Sequence, residues 1–398
     1  MKPDIAVIVA DTLRSDMFDA IEGRKHSFER MGFSFYRHCI APSSWTLPSH
    51  ASLFTGLYPS EHGAHESKTI KSLDIDRIKL SMPTMVGDLN QMGYSTYAIS
   101  ANPYVSPVYG FNEFRSFMEE SYFTDVFGST VEVSKQIKPL IAKYRNIYGN
   151  SLTKIALHAL REDPSMFMEA LASAAVLTPK SALIKAKAKL IDGWPIEKGG
   201  RNIVSNVQGM RMKHPFFLFI NLMEAHDPYV GKKSMDFDWS TPFMNTPPSA
   251  KAVSLWRRLY STASERAYNY SAKIAESMVE KDAIVIFTSD HGQLLGEHNF
   301  YGHGTVLYDE AVRVPLAVHM PEGYINKEHG GYQSLVNLRR FLIAAISGRK
   351  DASSLLSSKE VKSESFGIPA NVSMVKGISK RRIAAYEKKS TRRFSWRA

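Results

Sequence analysis

Short, predominantly apolar runs punctuate the chain at residues 4–10, Tyr94–Ser100, Pro215–Leu222, Ala283–Thr288 and Val314–His319. Runs of this length without polar alternation belong to strands covered on both faces. Between them, apolar positions recur at helical spacing through Met82–Met92 and around Ser254–Val279. Strands alternating with helices predict an α/β fold, a mostly parallel sheet sandwiched by helices. Two of the runs stop at side chains with ligand chemistry. Val9 and Ala10 give way to Asp11, and Phe287, Thr288 and Ser289 give way to Asp290 and His291. Open sheets of this kind bind ligands beyond the carboxyl ends of their strands, so these two ends are the first candidate site.

Residues from about 120 to 200 have another character, rich in Lys, Ala, Leu and Ser with amphipathic spacing through Met166–Ile191. They predict a mainly helical insertion, which either caps the site or covers the sheet. A core of residues 1–330 is expected to be followed by a small C-terminal subdomain, 331–398, with a helix over Leu335–Ser347. No apolar run reaches the roughly 18 residues that a membrane-spanning helix needs. The longest candidate, Phe216–Met223, is followed at once by Glu224, His226 and Asp227. Cleavage of a leader at the amino terminus would remove the first predicted strand, so a cytoplasmic protein is expected.

Composition adds two constraints. With 44% hydrophobic and 22% charged residues among 398, the chain is an ordinary globular sequence, but it carries a net charge of +11. Nine Lys or Arg and one acid fall between Lys376 and Ala398, a local net charge of +8. Such a tail reads first as a solvated hairpin or helix, and otherwise as a peripheral contact with phosphate groups at a membrane surface. No nucleic-acid-binding motif accompanies it, and no nucleic-acid partner is expected. A single cysteine, Cys39, excludes an intrachain disulfide and any multi-cysteine metal site, and is read as a small buried core residue. Nothing in the sequence fixes an oligomeric state.

The densest chemical signal runs from Ala41 to Gly63. Thr46 is followed by Pro48, Ser49 and a small-residue helix ending in Gly56. Proline suits a first helical turn, where its missing N–H costs nothing. Thr46 is therefore expected at a helix amino terminus, where backbone N–H groups and the dipole favour an anion. A hydroxyl held there beside a cation is a nucleophile facing an anionic ester.

Three further blocks join it: Asp11-Thr12-Leu13-Arg14-Ser15-Asp16; Ser289-Asp290-His291-Gly292; and Gly302-His303-Gly304-Thr305, running on to Arg313-Val314-Pro315-Leu316. In order and approximate spacing, from residue 4 to about 320, the four resemble the signature blocks of the sulfatase-like family of the alkaline phosphatase superfamily. The resemblance implies that Asp11, Asp290 and His291 are metal ligands, with the oxygen of Thr46 completing the set. Such donors suit one divalent cation, Mn²⁺, Mg²⁺ or Ca²⁺, and the imidazole favours Mn²⁺. His226 matches the family histidine that contacts the transferred group. His303, where many sulfatases have lysine, should bind a substrate oxygen or protonate the leaving group. Asn102 aligns with a substrate-contacting position, and His50 stands where a substrate-binding arginine is usual. Relatives with two metals place a histidine four residues after an aspartate; Asp227 is followed at that spacing by Gly231, so one metal is expected.

The departures narrow the expectation. Formylglycine is made from cysteine or serine within C/S-x-P-x-R, whereas this chain has Thr46, and threonine cannot become formylglycine. A threonine nucleophile resembles the branch that handles phosphomonoesters, phosphodiesters and phosphonates, including the phosphoglycerol transferases. Thr12 replaces the second aspartate of the usual sulfatase pair. The expected activity is metal-dependent hydrolysis of a small-molecule or lipid-linked anionic ester, phosphoester ahead of sulfate ester. A sulfuric ester hydrolase, a phosphoglycerol- or phosphoethanolamine-type transferase and a non-catalytic binding module are its rivals. Taken alone, Asp11 would read as a helix N-cap. Arg14 and Asp16 are expected to fix the loop after the first strand, and His62 to hold a turn. His298 and His319 carry no assignment.

Overall fold

In the computed structural model of the protein, the described residues are 2–120, 198–227, 229, 247–368 and 391–397, apart from 68, 73 and 327–329, with a few positions between 160 and 168. The expected helical insertion and most of the basic tail lie outside them. No helix among the described residues is long and apolar enough to cross a membrane.

The principal sheet has seven strands: β1 Ile5–Ala10, β2 Ser34–Phe35, β3 Ser95–Ser100, β4 Ser116–Glu119, β5 Phe216–Leu222, β6 Ile284–Thr288 and β7 Leu316–His319. Their spatial order is β2-β7-β6-β1-β5-β3-β4. The five strands from β6 to β4 run parallel, while β7 is antiparallel to both β6 and β2. The expected α/β class is therefore what forms, with a single reversed strand, β7, next to one edge.

Side chains of β1 alternate between two cores. Ile5, Val7 and Val9 join one apolar cluster, and Ala6, Ile8 and Ala10 join the other. This is why the strand reads as one continuous apolar run: both of its faces are covered. Among the described residues, six helices of seven or more residues do most of the covering: α1 Ser15–Lys25, α2 Thr46–Thr55, α3 Met85–Gln91, α4 Gly200–Gly209, α5 Ala250–Val279 and α6 Leu338–Ile346. Leu47, Ala51, Leu53 and Phe54 of α2 pack on the first face with α3 and α6. Helix α5 contributes Trp256, Tyr260, Ala267, Tyr268 and Ile274 to the second, beside α1 and α4.

The chain beyond residue 331 is tied into these layers. Its strand Tyr332–Ser334 pairs in parallel with Cys39–Ile40, and α6 packs into the same cluster as α2. A final antiparallel pair joins Glu360–Phe366 to Thr391–Arg397, where Arg393 forms an ion pair with the buried Glu364. The described part of the basic tail is thus a hairpin strand.

Phe219 links β5 to α2, with its ring centroid 4.9 Å from Phe54 and 5.9 Å from His50. Phe219→Ala is expected to cost about 3–5 kcal/mol, read as a lowered midpoint in urea unfolding. An unchanged midpoint would mean that α2 is not seated on the sheet through this contact.

Candidate active site

Four neighbouring parallel strands, β6, β1, β5 and β3, end at one edge of the sheet, and each leads to polar groups in the same space. Strand β1 ends at Asp11 and β6 at Asp290 and His291; β5 leads to His226 and Asp227, and β3 to Asn102. The pairings Val9↔Thr288, Ala10↔Leu222 and Ser100↔Asn221 keep the four ends level.

Helix α2 faces them. Trp45 is extended and caps it without a side-chain hydrogen bond, and Gly56, at φ 72°, ends it by donating to Ser52 O at 2.9 Å. Only glycine takes that left-handed turn without strain. All ten residues of α2 are buried. Its first turn is bonded to the end of β6: Ser49 Oγ donates to Asp290 O at 2.5 Å. Thr46 Oγ1 then lies 3.5 Å from His291 Nε2 and accepts from Asn102 Nδ2 at 3.3 Å.

Asp11, Asp290 and His291 are fully buried, and one ligand-type atom of each lies within 4.8 Å of the others. Half of their polar atoms are already engaged. Thr12 N and His291 N donate to Asp290 Oδ1 at 3.2 and 2.9 Å, and Asn102 Nδ2 donates to Asp11 Oδ2 at 2.6 Å. The other two oxygens, Asp11 Oδ1 and Asp290 Oδ2, have no hydrogen-bond partner. They lie 3.8 and 3.4 Å from His291 Nε2. His291 Nδ1 donates to Gly292 O at 2.9 Å, which leaves the lone pair on Nε2. Orphaned carboxylate oxygens are costly when buried. Burial, then repulsion from Asp290, pushes Asp11 up to about 6, and burial pushes Asp290 up to about 6. Burial also holds His291 down at about 4. Two orphaned oxygens and one imidazole lone pair converging on a point fit a divalent cation.

A second group lies beside the first. His226, Asp227 and His303 also bring ligand-type atoms within 4.8 Å of one another. His226 Nδ1 donates to Asp227 O at 2.5 Å and lies 3.0 Å from Asp227 Oδ1. Burial opposes charge on His226, but the Asp227 carboxylate outweighs it and raises the imidazole to about 9. Asp227, despite its burial, is held at about 2 by His226. His303 donates from Nδ1 to Gln293 Oε1 at 2.6 Å. Burial, then the neighbouring His291 and His226, keeps it well below its usual range. Its ring centroid is 4.9 Å from that of His226 and 4.6 Å from that of His291. A protonated imidazole therefore sits beside a neutral one.

The structure thus brings together Thr46, Asp11, Asp290, His291 and Asn102, with His226 and His303 next to them. His50 meets this group from the helix side, its Nδ1 3.5 Å from Asp290 Oδ2. One helical turn after Thr46, it points back into the sheet, donates from Nδ1 to Thr46 O at 2.9 Å and accepts from Asn221 Nδ2 at 3.3 Å. It has no exposed surface, burial lowers its pKa to about 3, and its two ring bonds tie α2 to β5. Thr12 has φ 61°, turns its hydroxyl onto Asp11 O at 2.7 Å and stays out of the ligand group. A β-branched residue in that region is strained, and Tyr260 of α5 holds it by donating to Thr12 O at 2.7 Å. Arg14 grips Asp16, Glu297 and Gln293 O, away from the ligand group. His62 bonds Ser52 Oγ and the amide of Ala64, each at 3.0 Å. Asn221 and Gln293 support the site without any motif to mark them, because their partners are 171 residues away or lie across a loop.

The Sulfatase family model matches residues 3–346. The choline-sulfatase of Rhizobium meliloti (strain 1021) is 20% identical over 365 residues, which cover 80% of this chain and 63% of that protein. The uncharacterized sulfatase YidJ of Escherichia coli (strain K12) is 44% identical over 39 residues, 10% of this chain and 8% of that protein. The matched stretch spans less than two thirds of the length of either relative. Among solved structures, a Bacteroides fragilis protein designated sulfatase YidJ superposes with a TM-score of 0.54 at 15% identity, covering 92% of this chain and 81% of that one. The phosphonate monoester hydrolase of Agrobacterium radiobacter gives 0.53 at 13% identity, covering 99% and 85%. These two likenesses concern the fold, a mostly parallel sheet between helices with antiparallel pairs toward the C-terminus. The match over residues 3–346 settles the family: the chain belongs to the Sulfatase family.

Proposed function

We propose that this chain is a divalent-metal-dependent hydrolase of anionic esters, phosphorus esters ahead of sulfate esters, with the Thr46 hydroxyl as its nucleophile. The observation that carries the reading is the place of Thr46 Oγ1, at a helix amino terminus without a side-chain cap and 3.5 Å from His291 Nε2. Asp11, Asp290 and His291 would hold one cation, Mn²⁺ ahead of Mg²⁺ and Ca²⁺, which when bound lowers the pKa of a neighbouring hydroxyl and offsets charge on the reacting group.

The remaining work falls to the chain's own side chains. Asn102 donates to both Asp11 and Thr46, and so fixes the direction of the threonine hydroxyl. Attack by Thr46 Oγ forms an O–P bond as the P–O bond to the leaving group breaks on the opposite side. Backbone N–H groups of the first turn of α2 and the protonated His226 donate to the non-bridging oxygens. His303, neutral and unprotonated at Nε2, relays a proton from that imidazolium to the departing oxygen, and the water that releases Thr46 gives one back along the same path to His226. We read His226, Asp227 and His303 as this proton-handling group, not as a second metal site, because His226 and Asp227 already neutralise one another.

Threonine at position 46 favours phosphorus chemistry, because a sulfatase of the formylglycine type needs cysteine or serine there. A sulfate-ester reading stands second, favoured by the choline-sulfatase likeness over 80% of the chain. The deciding experiment offers metal-stripped protein matched nitrophenyl sulfate, phosphate, phosphodiester and phosphonate esters with Mn²⁺, Mg²⁺, Ca²⁺ or Zn²⁺. Metal-dependent release from a phosphorus ester is expected. Faster release from the sulfate would transfer the assignment to the second reading, and no turnover on any ester would remove the hydrolase altogether. On the preferred phosphorus centre, His303→Ala should slow alkyl esters by about 10²–10⁴-fold and spare the nitrophenyl ester, whose leaving group needs no proton.

A further inference from the structure

Lys198 is the one buried lysine among the described residues, with 1% of its surface exposed. Full burial of a lysine is rare unless the charge is paired. Its Nζ donates to the backbone oxygen of His226. Its own amide, and that of Gly200, donate to Glu224 Oε1 at 2.9 and 3.1 Å. The short segment 198–200 thus grips the turn after β5 at two points, the Glu224 carboxylate and the His226 carbonyl. Within the turn itself, His226 N donates to Met223 O at 3.1 Å and His226 Nδ1 to Asp227 O at 2.5 Å. There is no slack in the grip: a Cβ on Gly200 would lie 2.9 Å from Glu224 Oε1 and 2.4 Å from the ring of Tyr270. Glu224, Asp227 and Asp11 all lie within electrostatic reach of the ammonium, and their attraction opposes the burial that lowers it to about 8.

This division of contacts separates two jobs. Asp227 orients the His226 ring through Nδ1, whereas the position of the ring in the site depends on the backbone from which it projects. We propose that Lys198 is a positioning residue for His226: its ammonium fixes the His226 carbonyl and so sets how far the imidazole stands from the group transferred to Thr46. The inference rests on the proposed role of His226 at that group. It requires no contact between Lys198 and substrate.

A double-mutant cycle on the full-length, metal-loaded protein tests it, with Lys198→Met, His226→Gln and the double variant assayed on the most reactive phosphorus ester. Lys198→Met is expected to lower kcat by about 10²-fold, the cost of roughly 1 Å of misplacement, with KM and bound metal unchanged. In the His226→Gln background the same change should cost only about twofold or less, because the two residues act as one unit. An equal loss in both backgrounds overturns the inference, since Lys198 would then serve the fold or the substrate directly. A His226→Gln enzyme with undiminished kcat overturns the role of His226 and the positioning of it together. Should Lys198→Met fail to fold, Lys198→Gln, which keeps a donor near the carbonyl, carries the same cycle with a smaller first loss.

Discussion

Thr46→Ala should abolish turnover, by on the order of 10⁶-fold, as when a covalent enzyme loses its nucleophile, while the metal stays bound. The fold has little reason to object. Alanine is the best helix former, and Thr46 makes its long-range bonds through a hydroxyl that only Asn102 and His291 approach. The metal should remain because Asp11, Asp290 and His291 keep every contact that orients them. Two measurements read the result: metal content by elemental analysis, and the mass of the Thr46 peptide after acid quench of the unmodified enzyme with substrate. The transferred group should be found on that peptide. A variant that keeps its metal and retains a tenth or more of the activity would mean that water attacks directly and no covalent step occurs.

Removing the metal is the second large effect, expected to cost at least about 10³-fold in kcat/KM if the cation supplies several kcal/mol to the reaction. It should also change how stability depends on pH. Without the cation, Asp11 and Asp290 titrate near 6 in the folded chain, against about 3.9 when unfolded. The folded state therefore binds more protons than the unfolded state between these values. That stabilisation is complete below about 4 and is lost as pH rises through about 6. Bound metal replaces the protons and removes the loss. Calorimetry in chelator and in excess metal should show two melting curves that diverge as pH rises across this window. Asp290→Asn should fail to bind the metal yet melt higher than the stripped parent at pH 7. Parallel curves would mean that the two carboxylates do not face a common cation.

Much of this architecture is legible in the sequence, for a physical reason. Strands β1, β5, β6 and β7 are mostly apolar because both faces are buried, so each leaves a run that needs no knowledge of its neighbours; β3 is buried too but mixes Ser and Thr with its apolar residues. What the runs omit is direction: β7 is as apolar as the others yet antiparallel. Strand β4 is half exposed at the sheet edge and reads as ordinary polar chain, and β2 is two residues long. In the site, Asp11, Asp290 and His291 stand out because each follows directly on a strand. Lys198, Asn221 and Gln293 do not, since their importance lies in contacts that only the folded chain makes. His50 shows the limit of position matching. An arginine in its place would have to reach out of the helix, whereas a short imidazole turns back to the carbonyl of Thr46.

The bond from Thr12 N to Asp290 Oδ1 spans 278 residues, and this has a consequence for the order in which the site comes into being. During synthesis at about 5–20 residues per second, β1 emerges roughly 14 to 56 s, and α2 roughly 12 to 47 s, before β6 is complete. Over that interval Asp11 has neither its partner carboxylate nor its imidazole, and no ribosome-bound fragment ending short of residue 291 holds the full ligand set. The nascent amino-terminal quarter carries β1 without either of its sheet neighbours, β5 emerging first and β6 after it. On the proposed reading, metal capture would come among the last events of folding, after β6 has paired with β1.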